Sequence, residues 1–192
     1  MSGMNKISLK FIRAGINTTI QDLGRKNLYH IGIPFSGAMD NRNYLIANSL
    51  VGNKKNFSVI EFAYQGPLLK VIGGNICIAI TGDVNFNIIK KNSIIEKGKC
   101  YQTYNLDKND QIDILSTNKS VYGYLAVNGG FETEFFFDSS SINTKAKIGP
   151  NNGEKFQKGD EVKLINIKNK KLNRKVNFFN TKIEQIRVIK GT

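Results

Sequence analysis

Short apolar stretches separated by glycine-containing turns constrain the fold of this chain more than any other feature. Residues 58–64, 68–72 and 75–80 are strand-like, and Gly66-Pro67 and Gly73-Gly74 separate them. Further strand-like stretches are residues 7–13, 84–89, 94–95, 100–104, 111–115, 121–127 and 162–167. Strands this short and this closely spaced favour an antiparallel β-barrel, closed or nearly closed, because closure removes exposed strand edges. We therefore expect a mainly β fold.

One short helix is predicted near residues 41–51. Asp40 is a favourable N-cap, because its carboxylate can accept hydrogen bonds from the N–H groups of the first helical turn. Gly52 can adopt the left-handed conformation that ends a helix. Three residues are expected to share its buried face: Tyr44, Ala47 and Val51. The polar, glycine-containing stretch 17–25 before the helix is interpreted as a loop.

Length and composition indicate a soluble, cytoplasmic protein. The 192 residues, with 12 Phe and 7 Tyr, suffice for a core that needs no disulfide or metal. The N-terminal stretch 1–15 lacks the apolar segment of a signal peptide, and the longest apolar run, 76–80, is too short to span a bilayer. Cys77 and Cys100 lack metal-type spacing, so neither a disulfide nor a metal site is predicted, and Cys77 is interpreted as a reduced core residue.

The formal net charge of +13 raises the question of nucleic acid or membrane binding. The lysines are scattered along the chain. The densest basic run, residues 168–175, lacks the interleaved aromatic residues of a base-stacking surface. We therefore predict no nucleic acid or membrane partner. The same charge would favour an anionic substrate or an acidic partner subunit.

Several motifs in a fixed order resemble a known family. They are residues 18–25 (TTIQDLGR), 32–40 (GIPFSGAMD), 47–53 (ANSLVGN), Glu61, 65–67 (QGP), 79–82 (AITG), 124–130 (YLAVNGG) and 158–161 (KGDE). This series resembles the biotin-dependent carboxyltransferase-like family, which includes the C-type subunit of 5-oxoprolinase, allophanate hydrolase subunit 2 and the carboxyltransferase domain of urea carboxylase. The resemblance implies a cyclophilin-like β-barrel.

The resemblance also implies a division of the chain. Residues 1–165 would form the carboxyltransferase-like β-barrel domain, residues 166–182 a basic connector, and residues 183–192 the start of a truncated second domain. Family members continue beyond this point, so the chain is expected to correspond to about the first half of the usual protein.

The function that the resemblance implies is that of one subunit in an ATP-dependent 5-oxoprolinase-type complex, which converts 5-oxoproline to glutamate. ATP would bind on, or be shared with, a partner of the complex's A-like or B-like type. One alternative is carboxyl transfer from carboxybiotin to urea or another amide. A second is a non-catalytic binding or regulatory subunit that pairs with a kinase-inhibitor-like partner.

Three residues are candidates for catalysis. The spacing of Asp22 and Arg25 would let the Arg25 guanidinium bind the Asp22 carboxylate as an ion pair that fixes the loop. Alternatively, Arg25 could bind the carboxylate of a substrate or of carboxybiotin. His30 is the single histidine and has the one side chain with an ordinary pKa near neutrality. It is a candidate base or a structural residue.

A second set of residues is predicted to bind substrate. The Ser36-Gly37 approach and the start of the helix could present N–H groups to an anion, unless Asp40 uses them as an ordinary cap. Two strands end in glycine turns, Thr81-Gly82 and Asn128-Gly129, and both turns are expected at one mouth of the barrel. The remaining candidates are Gln21, Asn48 and Glu61, the last of which would need a partner such as Arg25 or a backbone amide if buried.

Two positions depart from the family pattern. Many relatives carry Gly-Ser-Arg-Ser-Thr where this chain has residues 138–142 (DSSSI), so Ser140 takes the place of the arginine. A basic residue often precedes the 124–130 motif, where this chain has Tyr122. Two candidate anion contacts are therefore missing.

Overall fold

A computed structural model of the protein describes residues 6–165, 171–177 and 188. Within this part of the chain there is one α-helix, α1, at Asn41–Leu50, and short 3-10 turns lie at Tyr29–Ile31 and Asn151–Gly153. The strands are β1 Ser8–Arg13, β2 Asn17–Gln21, β3 Val59–Ala63, β4 Leu68–Ile72, β5 Ile76–Thr81, β6 Val84–Ile89, β7 Ile95–Lys97, β8 Thr103–Leu106, β9 Gln111–Thr117, β10 Tyr122–Val127 and β11 Glu161–Lys163.

The strands form two antiparallel sheets, with orders β11-β1-β4-β9-β6-β7 and β2-β3-β10-β5-β8. Both sheets contribute to one apolar core. Its fully buried members include Leu9, Phe11, Leu69 and Ile112 from the first sheet and Ile20, Ile60, Phe62 and Leu125 from the second. The predicted mainly β fold with one short helix is confirmed.

Helix α1 packs on the five-stranded sheet through a second apolar cluster, which contains Val59, Ala79 and Ala126 of that sheet. The three predicted residues of its buried face are fully buried: Tyr44, Ala47 and Val51. At the helix start, Asp40 Oδ1 accepts a hydrogen bond from the Asn43 N–H at 3.0 Å, which confirms the predicted cap. At its end, Gly52 has a φ of 74°, the left-handed conformation expected there.

The interpretation of residues 17–25 as a loop is wrong for its first part, because residues 17–21 form strand β2, paired with β3. The outer edge of β2 is also covered, since the carbonyls of Thr18 and Ile20 accept hydrogen bonds from the N–H groups of Phe156 and Ile142. Its polar side chains Thr18, Thr19 and Gln21 are buried, and Gln21 Nε2 donates to the carbonyl of the distant Ile142 at 2.9 Å. Polar composition therefore concealed a strand that is stabilised by tertiary contacts.

The strand predicted at residues 100–104 is shifted to β8. Tyr101 has a φ of 63°, a left-handed conformation that a strand cannot contain, so the strand begins after it. Cys77 lies in β5 and is a free, buried cysteine, as predicted.

The predicted connector, residues 166–182, is described only at residues 171–177, and the predicted second segment, 183–192, only at Val188; the rest lies outside the described residues. Residues 171–177 run beside β8, where the Thr103 N–H donates to the Arg174 carbonyl at 2.9 Å. None of the described helices is long and apolar enough to cross a membrane.

Candidate functional site

The end of β2 places Asp22 among serine side chains. Its Oδ1 accepts hydrogen bonds from the hydroxyls of Ser139 at 2.7 Å and Ser141 at 2.6 Å, and from the Gly24 N–H at 2.8 Å. Its Oδ2 accepts from the backbone N–H and the hydroxyl of Ser140, at 2.7 and 3.2 Å. Both carboxylate oxygens are therefore engaged, and the residue is only 5% exposed.

These contacts determine the ionisation of Asp22. Burial raises the pKa of its carboxyl, but the hydrogen bonds from Ser139, Ser141, Gly24 and Ser140 outweigh burial, so the pKa lies below its ordinary value. An ionised carboxylate with a lowered pKa and both oxygens engaged is a weak proton acceptor. The geometry thus favours Asp22 as an anchor for residues 139–141 rather than as a general base.

Arg25 follows Asp22 by three residues and is 2% exposed. Its Nε donates to the Phe136 carbonyl at 3.0 Å and its Nη2 to the Ser141 carbonyl at 2.6 Å. Its Nη1 is buried and has no hydrogen-bond partner among the described residues. Burial lowers the pKa of Arg25, while the nearby charge of Asp22 opposes this effect.

The predicted direct ion pair between Asp22 and Arg25 is wrong. The guanidinium binds two carbonyls instead, and among the described residues its nitrogens lie within 4.0 Å of no carboxylate. The spacing of the two residues suggested a local contact, but both side chains turn toward residues 136–141. We call Asp22, Arg25 and residues 139–141 the Asp22 cluster.

Three predicted substrate-binding residues lie beside the Asp22 cluster. Gln21 Nε2 donates to the carbonyl of Ile142 at 2.9 Å, while its buried Oε1 has no partner among the described residues. Ser36 Oγ accepts from Asn143 Nδ2 at 3.2 Å. Gly37, with a φ of 89°, packs so tightly that an added Cβ would lie 2.9 Å from the Gly24 nitrogen. The structure thus brings Gln21, Ser36 and Gly37 together with Asp22 and Arg25.

The start of α1 forms an adjoining network around Glu61. This buried carboxylate accepts from the Met39 N–H at 2.8 Å, and the Asp40 N–H donates to the hydroxyl of Tyr124 at 2.7 Å. Burial raises the pKa of Glu61, although its hydrogen bonds from Met39 and Tyr124 oppose the increase. The backbone amide that Glu61 was expected to need is therefore that of Met39.

Thr81 and Gly82 join this network from β5. Thr81 Oγ1 donates to the Asn43 carbonyl at 2.8 Å, and the Gly82 N–H donates to the Tyr101 hydroxyl at 3.2 Å. Because Asp40 occupies the Asn43 N–H, and Glu61 and Tyr124 occupy the N–H groups of Met39 and Asp40, these donors serve the protein itself. The ordinary-cap interpretation of Asp40 is the one that this geometry favours.

Asn128 and Gly129 do not lie at the same mouth as Gly82. Strands β5 and β10 are antiparallel neighbours, with Thr81 opposite Tyr124, so the turns that follow them lie at opposite ends of the sheet. Asn128 Nδ2 donates to the Val51 carbonyl at 2.6 Å, at the far end of α1. The prediction of a shared mouth is wrong, because adjacent antiparallel strands exit in opposite directions.

Asn48 belongs to that far end as well. Its Nδ2 donates to the Phe57 carbonyl at 2.8 Å, and its Oδ1 accepts from Asn53 Nδ2 at 3.0 Å. Asn53 also binds the Gly129 N–H and the Val127 carbonyl, both at 2.8 Å. This arrangement joins the end of the helix to the end of β10, away from the Asp22 cluster.

His30 lies in an exposed 3-10 turn and contributes no hydrogen bond to the Asp22 cluster among the described residues. It shares a shallow surface depression with Lys26, Asn27, Tyr29 and Phe35. The Arg25 N–H donates to the Phe35 carbonyl at 2.7 Å, so the depression lies close to Arg25. A catalytic role for His30 stays a prediction.

The sequence interpretation missed two features of this region. Residues 139–141 were noted only for lacking the family's arginine, yet their hydroxyls bind Asp22. The run of three consecutive serines was the available signal. Five large aromatic side chains are also exposed to solvent, and the backbone carbonyls of two of these residues, Phe35 and Phe136, accept hydrogen bonds from Arg25. We call them the aromatic surface: Tyr29, Phe35, Phe135, Phe136 and Phe137.

Comparisons with known proteins agree with this architecture. The chain is 32% identical to the C-type subunit of 5-oxoprolinase from Haemophilus influenzae over 149 residues, which cover 77% of this chain and 46% of that protein. It is 30% identical to the corresponding 5-oxoprolinase protein of Escherichia coli over 156 residues, or 81% and 49% of the two chains. A urea amidolyase of Lachancea kluyveri is 31% identical over 151 residues, 78% of this chain and 8% of that protein.

Solved structures share the fold. The crystal structure of TTHA0988 in one crystal form superposes with a TM-score of 0.80 at 26% identity, covering 94% of this chain and 35% of that one. The urea amidolyase of K. lactis superposes with a TM-score of 0.77 at 25% identity, covering 83% and 9%. The chain spans about half the length of the two 5-oxoprolinase relatives that it matches, 46% and 49%.

A family profile described as "Carboxyltransferase domain, subdomain A and B" matches residues 31–192. This match covers most of the chain, including α1 and strands β3 to β11. The protein therefore belongs to the carboxyltransferase domain family, subdomains A and B.

Proposed function

We propose that this chain is part of a cytoplasmic, ATP-dependent complex that converts 5-oxoproline to glutamate. Its relatives include proteins named as the C-type subunit of 5-oxoprolinase. The observation that carries the proposal is the buried Arg25, whose Nη1 has no partner among the described residues. A buried guanidinium nitrogen without an acceptor is costly, so an anionic oxygen of the substrate would relieve that cost.

The two side chains of the site have different tasks in this proposal. Arg25 binds the carboxylate of 5-oxoproline through Nη1, because its Nε and Nη2 are occupied by the carbonyls of Phe136 and Ser141. Asp22 stays ionised and keeps residues 139–141 in place. Ring opening of the lactam requires ATP, and the proposal assigns ATP binding and phosphate chemistry to a partner chain of the complex.

Partner chains of the A-like and B-like types are part of the proposal. The aromatic surface exposes large apolar side chains, with Tyr29 73% and Phe135 68% exposed. Exposed apolar patches of this kind mark interaction surfaces in soluble proteins. A net charge of +13 would further favour an acidic partner or an anionic substrate.

Reconstitution tests the proposal. The chain is produced together with the polypeptides encoded next to it, in cells that lack their own 5-oxoprolinase complex, and the conversion of 5-oxoproline to glutamate is measured with and without ATP. We expect ATP-dependent conversion, and we expect it to be lost when Asp22 and Arg25 are both replaced by Ala in a complex that still assembles. Conversion that persists in that variant would contradict the assignment of the site.

Carboxyl transfer from carboxybiotin to urea or another amide is the second candidate, favoured by the relatives named urea amidolyase. In the same preparation it predicts incorporation of labelled bicarbonate into a urea-derived product when a biotinylated partner is present. A non-catalytic role predicts neither reaction, but tight co-purification with one partner. The three outcomes are mutually distinguishable.

A further inference from the structure

Ser141 is the one residue of the described chain that contacts both Asp22 and Arg25 through hydrogen bonds. Its hydroxyl donates to Asp22 Oδ1 at 2.6 Å and accepts from the Asp22 N–H at 2.9 Å. Its carbonyl accepts from Arg25 Nη2 at 2.6 Å. It is fully buried, so none of these contacts competes with solvent.

The hydroxyl and the carbonyl of Ser141 cannot move independently. A hydroxyl that donates and accepts at once has a fixed orientation, which fixes the side chain. The next residue is fixed as well, because the Ile142 N–H donates to the Ile20 carbonyl at 2.9 Å, on the outer edge of strand β2. The carbonyl of Ser141 is therefore held from both sides at the point where it binds Arg25.

This position determines where the free nitrogen of Arg25 lies. The guanidinium is planar and rigid, so fixing Nε on the Phe136 carbonyl and Nη2 on the Ser141 carbonyl also fixes Nη1. Asp22 does not touch the guanidinium directly. Apart from the effect of its charge, Asp22 acts on the position of the guanidinium through its hydrogen bonds to residues 139–141.

We propose that Ser141 is the positioning residue of this site: its hydroxyl holds Asp22 and its carbonyl holds Arg25, so that Nη1 is presented in one orientation to the anionic oxygen of the substrate. This inference rests on the proposed function for the identity of the ligand. The fixed orientation of Arg25 itself does not depend on that function. Ser141 contacts neither the substrate nor the reacting atoms, so its effect is indirect.

The test uses the NMR signals of arginine Nε–H groups in the full chain. The sequence has few arginines, Arg13, Arg25, Arg42, Arg174 and Arg187, and an Arg25→Lys variant identifies the signal of Arg25. In the unmodified chain we expect the Arg25 Nε–H to exchange slowly with water and to shift on titration with L-5-oxoproline. Acetate serves as a second probe, because it carries a carboxylate without the lactam ring.

Ser141→Ala should accelerate exchange of the Arg25 Nε–H about tenfold and weaken binding of both probes about fivefold, because two buried hydrogen bonds are lost. Ser141→Thr keeps the hydroxyl and should restore both values. Ser8→Ala is the matched control. Ser8, in strand β1, is as buried as Ser141, and its hydroxyl donates to Glu161 of β11 at 2.5 Å. It should lower the unfolding temperature without changing the Arg25 signal.

Unchanged exchange in Ser141→Ala, or an equal acceleration in Ser8→Ala, would overturn the positioning role. An Arg25 signal that responds to neither probe in the unmodified chain would overturn its proposed ligand, and the exchange comparison would still decide the role of Ser141. The two failures are therefore separable.

Discussion

Glu61 and Tyr124 lie directly opposite each other on β3 and β10, and their side chains bind two consecutive backbone N–H groups, those of Met39 and Asp40. The pairing of two central strands thus determines where the chain enters α1. Because the same loop passes over Gly24 and Asp22, with the Ala38 N–H donating to the Asp22 carbonyl at 2.9 Å, the entry to the helix and the Asp22 cluster are mechanically linked.

The first prediction concerns the ionisation of Glu61. Burial raises its pKa, so the stability that this residue contributes is fully present below the ordinary pKa of Glu, about 4.3, and is lost as pH rises through the raised value. Glu61→Gln keeps an acceptor for the Met39 N–H and removes the charge. The free energy of unfolding of the variant, minus that of the unmodified chain, should therefore increase as pH rises from about 4 to about 8. Urea unfolding across this range measures it, and a constant difference would contradict it.

Asp22 should show the opposite pH dependence. Its pKa is lowered, so its contribution is present above the ordinary pKa of Asp and is lost as pH falls through the lowered value. Asp22→Asn should cost about 3 kcal/mol of unfolding free energy at neutral pH, because an amide NH₂ would face the donors of Ser139, Ser140 and Ser141. The deficit should shrink below about pH 4.

Urea unfolding of the Asp22→Asn variant against the unmodified chain provides the measurement. Asp107→Asn is the control, because Asp107 is exposed and its carboxylate accepts no hydrogen bond among the described residues, so the change should alter stability by less than about 0.5 kcal/mol. A deficit for Asp22→Asn that is equally large at low pH would show that the hydrogen bonds described do not favour the ionised form of the carboxylate.

Stability and ligand binding are predicted to require the guanidinium of Arg25 and not merely a positive charge at this position. Arg25→Lys keeps the charge but cannot bind the carbonyls of Phe136 and Ser141 together, so we expect a loss of about 2 kcal/mol and no detectable binding of L-5-oxoproline. Arg174→Lys is the control, since Arg174 is exposed and donates to the Ser49 carbonyl at 3.0 Å. Thermal unfolding and calorimetric titration give both values, and equal effects in the two variants would refute the prediction.

The asparagines at the far end of α1 are predicted to act on stability. Asn53→Ala removes hydrogen bonds to Asn48, Val127 and Gly129 and should cost about 2 kcal/mol. In a reconstituted complex held below its unfolding temperature, conversion of 5-oxoproline should be retained. A loss of conversion without a loss of stability would instead support the original assignment of Asn48, Asn128 and Gly129 as substrate-binding residues. Asn92→Ala, in an exposed turn, is the control.

The aromatic surface is predicted to act in assembly. Phe135 is 68% exposed, so Phe135→Ser should leave the unfolding free energy of the isolated chain within about 0.5 kcal/mol. Co-purification with partner chains should nevertheless weaken. Ile95→Ser is the matched control, because Ile95 is 64% exposed but lies on β7, at the edge of the six-stranded sheet. Equal co-purification of both variants would exclude this surface from the interface.

Local chemistry allowed the sequence alone to determine several elements. Helix α1 begins and ends where predicted because a cap and a left-handed glycine act within a few residues: Asp40 on Asn43, and Gly52 after the last turn. Most strands were also found from their apolar stretches and the turns between them. The motifs around Asp22 and Arg25 contributed to identifying the family.

Tertiary structure alone decided how that region is built. Asp22 and Arg25 are close in sequence, yet both bind residues 136–141, which no spacing rule could connect to them. The two glycine turns looked equivalent, but the antiparallel pairing of β5 and β10 sends them to opposite ends of the sheet. Capping depends on neighbours along the chain, whereas these contacts depend on which distant segments pack together, and hydrophobic periodicity does not specify that.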